Sequence, residues 1–524
     1  MTKRVKPTAL RWLTALALAI ALLAVAGCDM RFGSGSYIMP PPAPDLSDPP
    51  TRVARLSYLE GPVSFQPAGV EAWSPAVVNR PLTAGDALWT DNSARAELHF
   101  GFAALRLDAR THLAFLALDD SSVQATLTQG AISFRVRKLD EGVRFEIDTP
   151  NVSVTPSGAG EFRVEVHPES NSTEVIVRAG HAEVTDPKRA FEVSAGKRVR
   201  IGGTRRVSYK INAASRPDAF DEFCQARDRR EDRSESSKYV SQEVIGYSDL
   251  DDSGIWLTHP VWGAYWTPRR VPAGWAPYRF GNWAWIEPLG WTWIDQAPWG
   301  FAPFHYGRWI LLDSGWGWIP GPPGARSIYA PALAVFVGGS AGVAWFPLGP
   351  GEVYVPPYRC SRRYLTNINV SDTVIEHRAD IPDVDMTRQT YVNRAAAGAL
   401  TAMSREAFTT GQPVGRVTVA VSAREAALSR VIGATAPLAP KLQSLAPSPA
   451  GLRVPEPPSS ARREVILRGA PPPAPVAFEQ RRLALEEHPG RPLDHETLDQ
   501  LSRATAPAQA PKKAPKSKPA ATSP

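Results

Sequence analysis

From residue 52 to about 210 the chain alternates apolar and polar positions in short runs. Residues 94–100, 104–108, 123–127, 132–137, 162–166 and 174–177 each place every second side chain on one apolar face. A period of two with one apolar face is the pattern of half-buried antiparallel strands. Turn-forming residues separate the runs, among them Asp91-Asn92, Gly130, Asp140-Glu-Gly142, Gly180 and Gly196. Many short strands at this spacing predict a mainly β fold, an antiparallel β-sandwich or a short β-solenoid, with no helix required.

The pattern changes twice further on. Residues 211–253 mix charges of both signs, and the stretch 218–233 lacks Gly and Pro, which predicts a short helix in a solvated connector with Phe220 and Phe223 on one face. From 254 to 375 tryptophan dominates: thirteen of the sixteen fall between Trp256 and Trp345. Trp275-Ala-Pro-Tyr-Arg-Phe-Gly-Asn-Trp283 repeats as Phe301-Ala-Pro-Phe-His-Tyr-Gly-Arg-Trp309, and each copy runs on into Gly-Trp-x-Trp-Ile. Trp283 and Trp285 precede, and Trp291 and Trp293 follow, a Pro/Gly loop at 287–290, so the predicted unit is a hairpin with facing Trp pairs. Such strands send most of one face inward, which makes the rings core. The competing reading is an exposed stacking platform for sugar rings or Pro-rich peptides, and its best candidates are Trp299, His305, Tyr306, Arg308 and Trp309, between hairpins.

The ends change the picture of where the protein resides. Residues 1–27 carry Lys3, Arg4, Lys6 and Arg11 before an apolar run that ends in Val25-Ala26-Gly27-Cys28, which reads as a signal peptide of lipoprotein type. The resemblance to the bacterial lipobox implies lipid attachment at Cys28; ordinary cleavage nearby, or retention as an uncleaved anchor, is the alternative. Asp29 resembles the signal that keeps enteric lipoproteins at the inner membrane, a resemblance that implies that membrane, with the outer membrane the alternative. A Pro-rich spacer follows over 28–51, and a loop-rich extension covers 376–436. Residues 437–524, rich in Pro, Ala and Lys, read as a disordered tail with short helices at 478–487 and 496–504.

The 51 prolines fit that spacer and tail. The net charge is +7, but four uncompensated cations lie in the signal segment and five in the last 24 residues, leaving −2 for residues 28–500. The body therefore lacks the basic footprint of nucleic-acid binding. With Cys28 acylated, Cys224 and Cys360 remain, an even pair that is a candidate disulfide in an oxidising compartment, or two unrelated thiols.

Two resemblances follow from ordered motifs. Leu82-Thr-Ala-Gly-Asp-Ala-Leu, Ala94-Arg-Ala-Glu-Leu, Leu127-Thr-Gln-Gly-Ala-Ile, Phe145-Glu-Ile-Asp-Thr-Pro150, Glu174-Val-Ile-Val-Arg-Ala-Gly180 and Val193-Ser-Ala-Gly-Lys197 resemble a FecR domain over about 52–207. In that family's founding members the periplasmic domain passes a signal from an outer-membrane iron transporter to a cytoplasmic sigma factor. Because no cytoplasmic domain or spanning helix precedes the module, the resemblance implies a periplasmic protein-binding β-module and leaves iron regulation open. The Trp-rich part, from Tyr239-Val and Gly254-Ile-Trp256 through Pro298-Trp-Gly-Phe-Ala-Pro-Phe-His-Tyr-Gly-Arg-Trp309 to Trp345-Phe-Pro-Leu-Gly-Pro-Gly, resembles the DUF6600 family of proteobacterial envelope proteins over about 239–375. That family implies compartment and company, and no activity.

Chemistry is sparse. The nine histidines are scattered without zinc-protease spacing, and no nucleophile elbow or phosphate loop occurs. Glu287 and Asp295 flank a Trp hairpin and suggest a glycosidase pair, which would need a cleft and a defined carboxyl separation. The reading is a non-enzymatic envelope lipoprotein, with no catalytic residue, metal or cofactor, held to the membrane by its lipid. Its β modules bind envelope protein, peptidoglycan or another polysaccharide. The alternatives are an accessory signalling or sensor protein using the FecR-like module and, third, a cell-wall hydrolase.

Overall fold

The alternating region folds as two antiparallel sheets that share one long strand. The computed structural model describes residues 48–505 apart from 205–206, 325, 340–341, 420–424, 426–427, 448–452 and 470–472; the signal segment, Cys28 and the last 19 residues lie outside the described residues. In the first sheet the order is Pro81–Leu82, Ala54–Glu60, Arg95–His99, Ala103–Leu107, the C-terminal half of Ser122–Val136, Gly160–His167, Ser172–Ala179, Lys197–Gly202 and Ser208–Ala213. In the second it is Ser74–Pro75, Val63–Gln66, Ala87–Thr90, Thr111–Leu118, the N-terminal half of Ser122–Val136, Arg144–Asp148, Ser153–Pro156, His181–Thr185 and Ala190–Ser194. Neither sheet closes into a barrel.

The shared strand changes sheets at Gln129 and Gly130: Gln129 pairs with His112 in the second sheet and Gly130 with Val166 in the first. Gly130 has φ +89°, and a Cβ there would lie 2.5 Å from Thr111 Cα, so only glycine fits the bend. The same change explains the one parallel pairing among the described residues of the sandwich, Ser122–Val136 with Arg144–Asp148. Parallel neighbours need a long crossover, and here the first-sheet half of the shared strand supplies half of it. The expected sandwich is therefore observed, with inward faces built of Leu56, Phe65, Leu88, Leu105, Leu113 and Phe145 among others. Phe134 stacks between Phe145 and Phe162 at 5.1 and 5.2 Å.

The charged segment forms the predicted helix, Ala219–Asp232, opened by a capping box between Asp218 and Asp221. It differs from a solvated connector because its charges have partners on the first sheet. Asp228 meets Arg106 at 2.8 Å, Arg227 meets the buried Glu97 at 2.6 Å, and Asp221 meets Arg178 at 2.6 Å. The mixed charges that look self-neutralising in sequence serve as a docking face for the sheet.

The Trp-rich part forms the predicted hairpins. Gly281–Ile286 pairs with Gly290–Asp295 in the register Trp283 to Trp293 and Trp285 to Trp291. The second repeat pairs Arg308–Leu312 with Gly315–Ile319, placing Trp309 opposite Trp318 and Leu311 opposite Trp316. That hairpin extends through Gly263–Pro268 to Gly254–His259 as a four-stranded sheet. Ala334–Gly339 and Gly342–Pro347 form another hairpin, flanked by Val431–Gly433 and Thr401–Met403. One aromatic core unites these elements and takes in Val53 as well as Phe478 and Leu485 from the tail.

The tail thus differs from a free tether over its described part. Both short helices are present, as Phe478–Glu487 and His495–Thr505, but Phe478, Leu485 and Leu493 are buried against the body. Composition measures whether a segment can bury its own apolar surface. It is silent on a surface borrowed from elsewhere in the chain.

Candidate functional site

The five residues expected at an exposed patch are interior, and that expectation is corrected. Trp309 is 1% exposed and donates from Nε1 to Pro303 O at 2.7 Å. Trp299 packs between Trp266 and Trp275 at 4.9 and 5.9 Å. Arg308 donates from Nε and Nη2 to Glu352 O at 3.1 and 3.0 Å, and lies 4.0 Å from the buried Asp372. His305 is fully buried with Nδ1 2.8 Å from Ala330 O, and burial pushes its pKa down to about 3. Tyr306 lies edge-on to Tyr329 at 6.3 Å and is likewise buried. The loops between hairpins are surface loops only until Tyr329-Ala330 and the stretch from Leu348 to Asp372 close on His305, Tyr306, Arg308 and Trp309, and the sequence pattern of a hairpin carries no trace of those contacts.

The carboxylates that suggest glycosidase chemistry are tied to their own hairpin. Glu287 accepts from Trp285 Nε1 at 2.9 Å and sits 3.9 Å from Arg481. Asp295 accepts from Trp293 Nε1 at 3.0 Å and from Ala297 N at 2.9 Å, while burial pushes its carboxyl up to about 7. Each is a buried acceptor for an indole N–H, which needs a partner when it is buried.

Cys224 and Cys360 are both free, so the candidate disulfide is corrected to two separate thiols. Cys224 lies on the buried face of the helix Ala219–Asp232 and Cys360 is half-buried near Asp48; burial raises the first thiol to about 12 and the second to about 11. Among the described residues no group of three His, Cys, Asp or Glu side chains is gathered as a metal site, and no helix is long and apolar enough to cross a membrane.

What does face solvent is the end of the first Trp hairpin. Val261 is 73% exposed and Trp262 37%, in the turn between Gly254–His259 and Gly263–Pro268. Trp262 is the one exposed tryptophan among the described residues. His259 Nδ1 accepts from Val261 N and Trp262 N at 3.1 and 3.3 Å, so the turn is held in one shape. Leu257 and Val271 add exposed apolar surface on the same hairpin and just beyond it. Sequence reasoning passed over this tip, although the signal was there: Pro260-Val261-Trp262 is an apolar run where a hairpin turn is ordinarily polar.

These features define a mainly β chain of open antiparallel sheets, with a Trp-filled hairpin region carrying one exposed aromatic tip. Residues 247–352 match the model of a family of unknown function, DUF6600. No curated protein matches the chain. Two crystal structures, at 2.50 and 1.65 Å, of a candidate anti-sigma factor from Parabacteroides distasonis ATCC 8503 are similar to it at 21% and 20% identity, each with a TM-score of 0.22. Each match covers 24% of this chain, which spans 60% of the length of those solved proteins.

Proposed function

We propose that the chain is a non-enzymatic, lipid-anchored envelope protein that binds envelope protein or glycan through the Val261–Trp262 tip. The observation that carries this reading is a tryptophan more than a third exposed on a pinned hairpin, in a region that buries most of its other indoles. A rigid aromatic anchor presents a large contact area at little entropic cost, the quality that makes Trp frequent at binding hot spots. The signal segment and Cys28 support a place in the envelope facing the periplasm, with Asp29 favouring the inner membrane over the outer.

The test is co-sedimentation of the lipid-free chain with purified peptidoglycan sacculi, beside Val261→Asp and Trp262→Ala. Binding that falls at least tenfold in both variants, with unchanged thermal unfolding, supports glycan recognition by the tip. Equal binding by all three chains rejects the tip. A second reading is an accessory signalling protein using the FecR-like sandwich. It is favoured by the outermost strand Ser208–Ala213, where Ile211 is 59% exposed beside a strand edge with no partner strand among the described residues. A partner cross-linked through this strand, with no sacculus binding, would select it.

A further inference from the structure

Residues 453–469, which lie in sequence between Leu445 and Phe478 of the aromatic core, cross the outer face of the second sheet. Before them, Arg80 Nη2 donates to Leu445 O at 2.6 Å. On the way across, Ser64 Oγ donates to Pro455 O at 2.6 Å and Ser460 Oγ to Gln129 Oε1 at 3.0 Å. Ile466 N donates to Thr149 O at 2.8 Å, and Arg468 Nη1 meets Glu183 Oε1 at 2.6 Å. After them, Phe478 N donates to Gly69 O at 3.0 Å and Arg481 Nη2 to Ala68 O at 3.1 Å. Ser64, Gln129 and Glu183 lie on three different strands of the sheet, and Thr149 directly follows a fourth, so the segment runs across the strands like a strap.

The face beneath the strap is not an apolar face in need of cover. The side chains opposite the sandwich core include Ser64, Trp89, Gln124, Glu146 and Asp148, all buried, with the half-buried His112 among them. Gln124 Nε2 donates to Asp148 Oδ2 at 2.7 Å and to Glu146 Oε1 at 3.2 Å, and the buried Trp89 indole N–H has no partner. Burying such groups costs free energy unless they are satisfied, so hydrophobic stabilisation does not account for a strap in this place. An aromatic ring, hydrogen-bonding side chains and carboxylates are what an extended peptide needs.

The strap has matching chemistry. It reads Arg453-Val-Pro-Glu-Pro-Pro458 and then Ser459-Ser460-Ala461-Arg462-Arg463, ending at Arg468 on Glu183. Prolines hold a peptide extended in advance, which lowers the entropic cost of docking. We infer that the outer face of the second sheet is a peptide-binding groove occupied in cis by residues 453–468, and that its external ligand is an extended protein segment with prolines followed by arginines. Both feet of the strap stay fixed, one at Leu445 and one at Phe478–Glu487, so it competes at an effective concentration on the order of millimolar. A partner therefore gains access when the strap is loosened. This groove is separate from the Trp262 tip, and its failure would leave that reading untouched.

The experiment uses the full chain and a fluorescein-labelled synthetic peptide of residues 453–469, read by anisotropy. Ser460→Ala with Ile466→Pro and Arg468→Ala loosens the strap and leaves its feet in place. The loosened chain is expected to bind the peptide at least tenfold tighter than the parent chain. Adding Glu183→Arg should remove that gain, and a peptide carrying Glu at the position of Arg468 should restore it. Equal binding by parent and loosened chains, or equal binding of a scrambled peptide, overturns the proposal. If the triple variant loses its native circular dichroism, the pair Ser460→Ala and Arg468→Ala is held to the same criteria.

Discussion

Trp283 and Trp293 face each other across one hairpin with ring centroids 5.4 Å apart and planes at 66°, both with almost no exposure. Phe336 and Trp345 close on Trp283 at 5.0 and 5.5 Å, so the pair is the centre of the aromatic core. Truncating Trp283 to Ala should cost about 3–5 kcal/mol, the range for large aromatic deletions in packed cores. Trp262→Ala, at the exposed tip, should stay within about 0.5 kcal/mol. Urea unfolding midpoints of the two variants check the contrast.

Arg55 is fully buried and ties the sandwich to the Trp-rich part. It lies 2.5 Å from Asp249 Oδ2 and donates from Nη2 to Pro298 O at 2.8 Å and to Asn79 Oδ1 at 2.7 Å. Arg55→Met should destabilise by about 3–5 kcal/mol, because removal of one partner leaves buried groups uncompensated. Calorimetry should show the loss, with a smaller effect for Arg230→Ala, whose more exposed guanidinium shares the same carboxylate at 3.0 Å.

Asp295 gives a pH prediction of definite sign. Its folded carboxyl is raised to about 7 by burial, against the hydrogen bonds from Ala297 and Trp293 that lower it. An acid with a raised folded pKa binds its proton more tightly in the native state. Its contribution is complete below about pH 4 and is lost as pH rises toward 7. Asp295→Asn should flatten the fall in stability over that window, by roughly 4 kcal/mol at most. Melting curves from pH 4 to 8 measure it.

The two thiols should remain unpaired in the native protein. Denaturing alkylation without reductant is expected to modify both Cys224 and Cys360. Under native conditions Cys224 should react far more slowly than a free thiol, since the reactive thiolate is suppressed by burial. Recovery of a peptide linked through both residues would contradict the structure.

Gly130→Ala should be severe for so small a change, about 2 kcal/mol or more, because its φ of +89° disfavours any side chain and the Thr111 backbone blocks the space. Gly142→Ala offers the control: it has a similar φ of +82° and open space around it, so it retains only the backbone cost.

Much of this architecture could be read from periodicity. Facing Trp pairs follow from a spacing of two on either side of a turn, and the observed registers, Trp283 to Trp293 and Trp285 to Trp291, match it. The sandwich was legible for the same reason. Burial of His305 and Trp309 was not, because Tyr329 and Ala330 close over the first and Leu348 O takes the backbone N–H of the second, contacts with no local pattern; Trp299 is buried by Trp266 and Trp275 from outside its own hairpin. The strap escaped notice because Pro-rich composition speaks only of a segment's inability to fold alone. Composition does not set the tip apart, because Trp262 lies among tryptophans that are otherwise buried or half-buried in the same region.

The strand Ser122–Val136 belongs to both sheets and lies near the middle of each. Its two halves need each other: ordering the first half for one sheet fixes where the second half enters the other. The sandwich should therefore unfold as a single cooperative unit, with no state in which one sheet survives alone. Amide hydrogens of Val123 and Phe134, on opposite halves of that strand, should exchange at the same rate under conditions that report global opening.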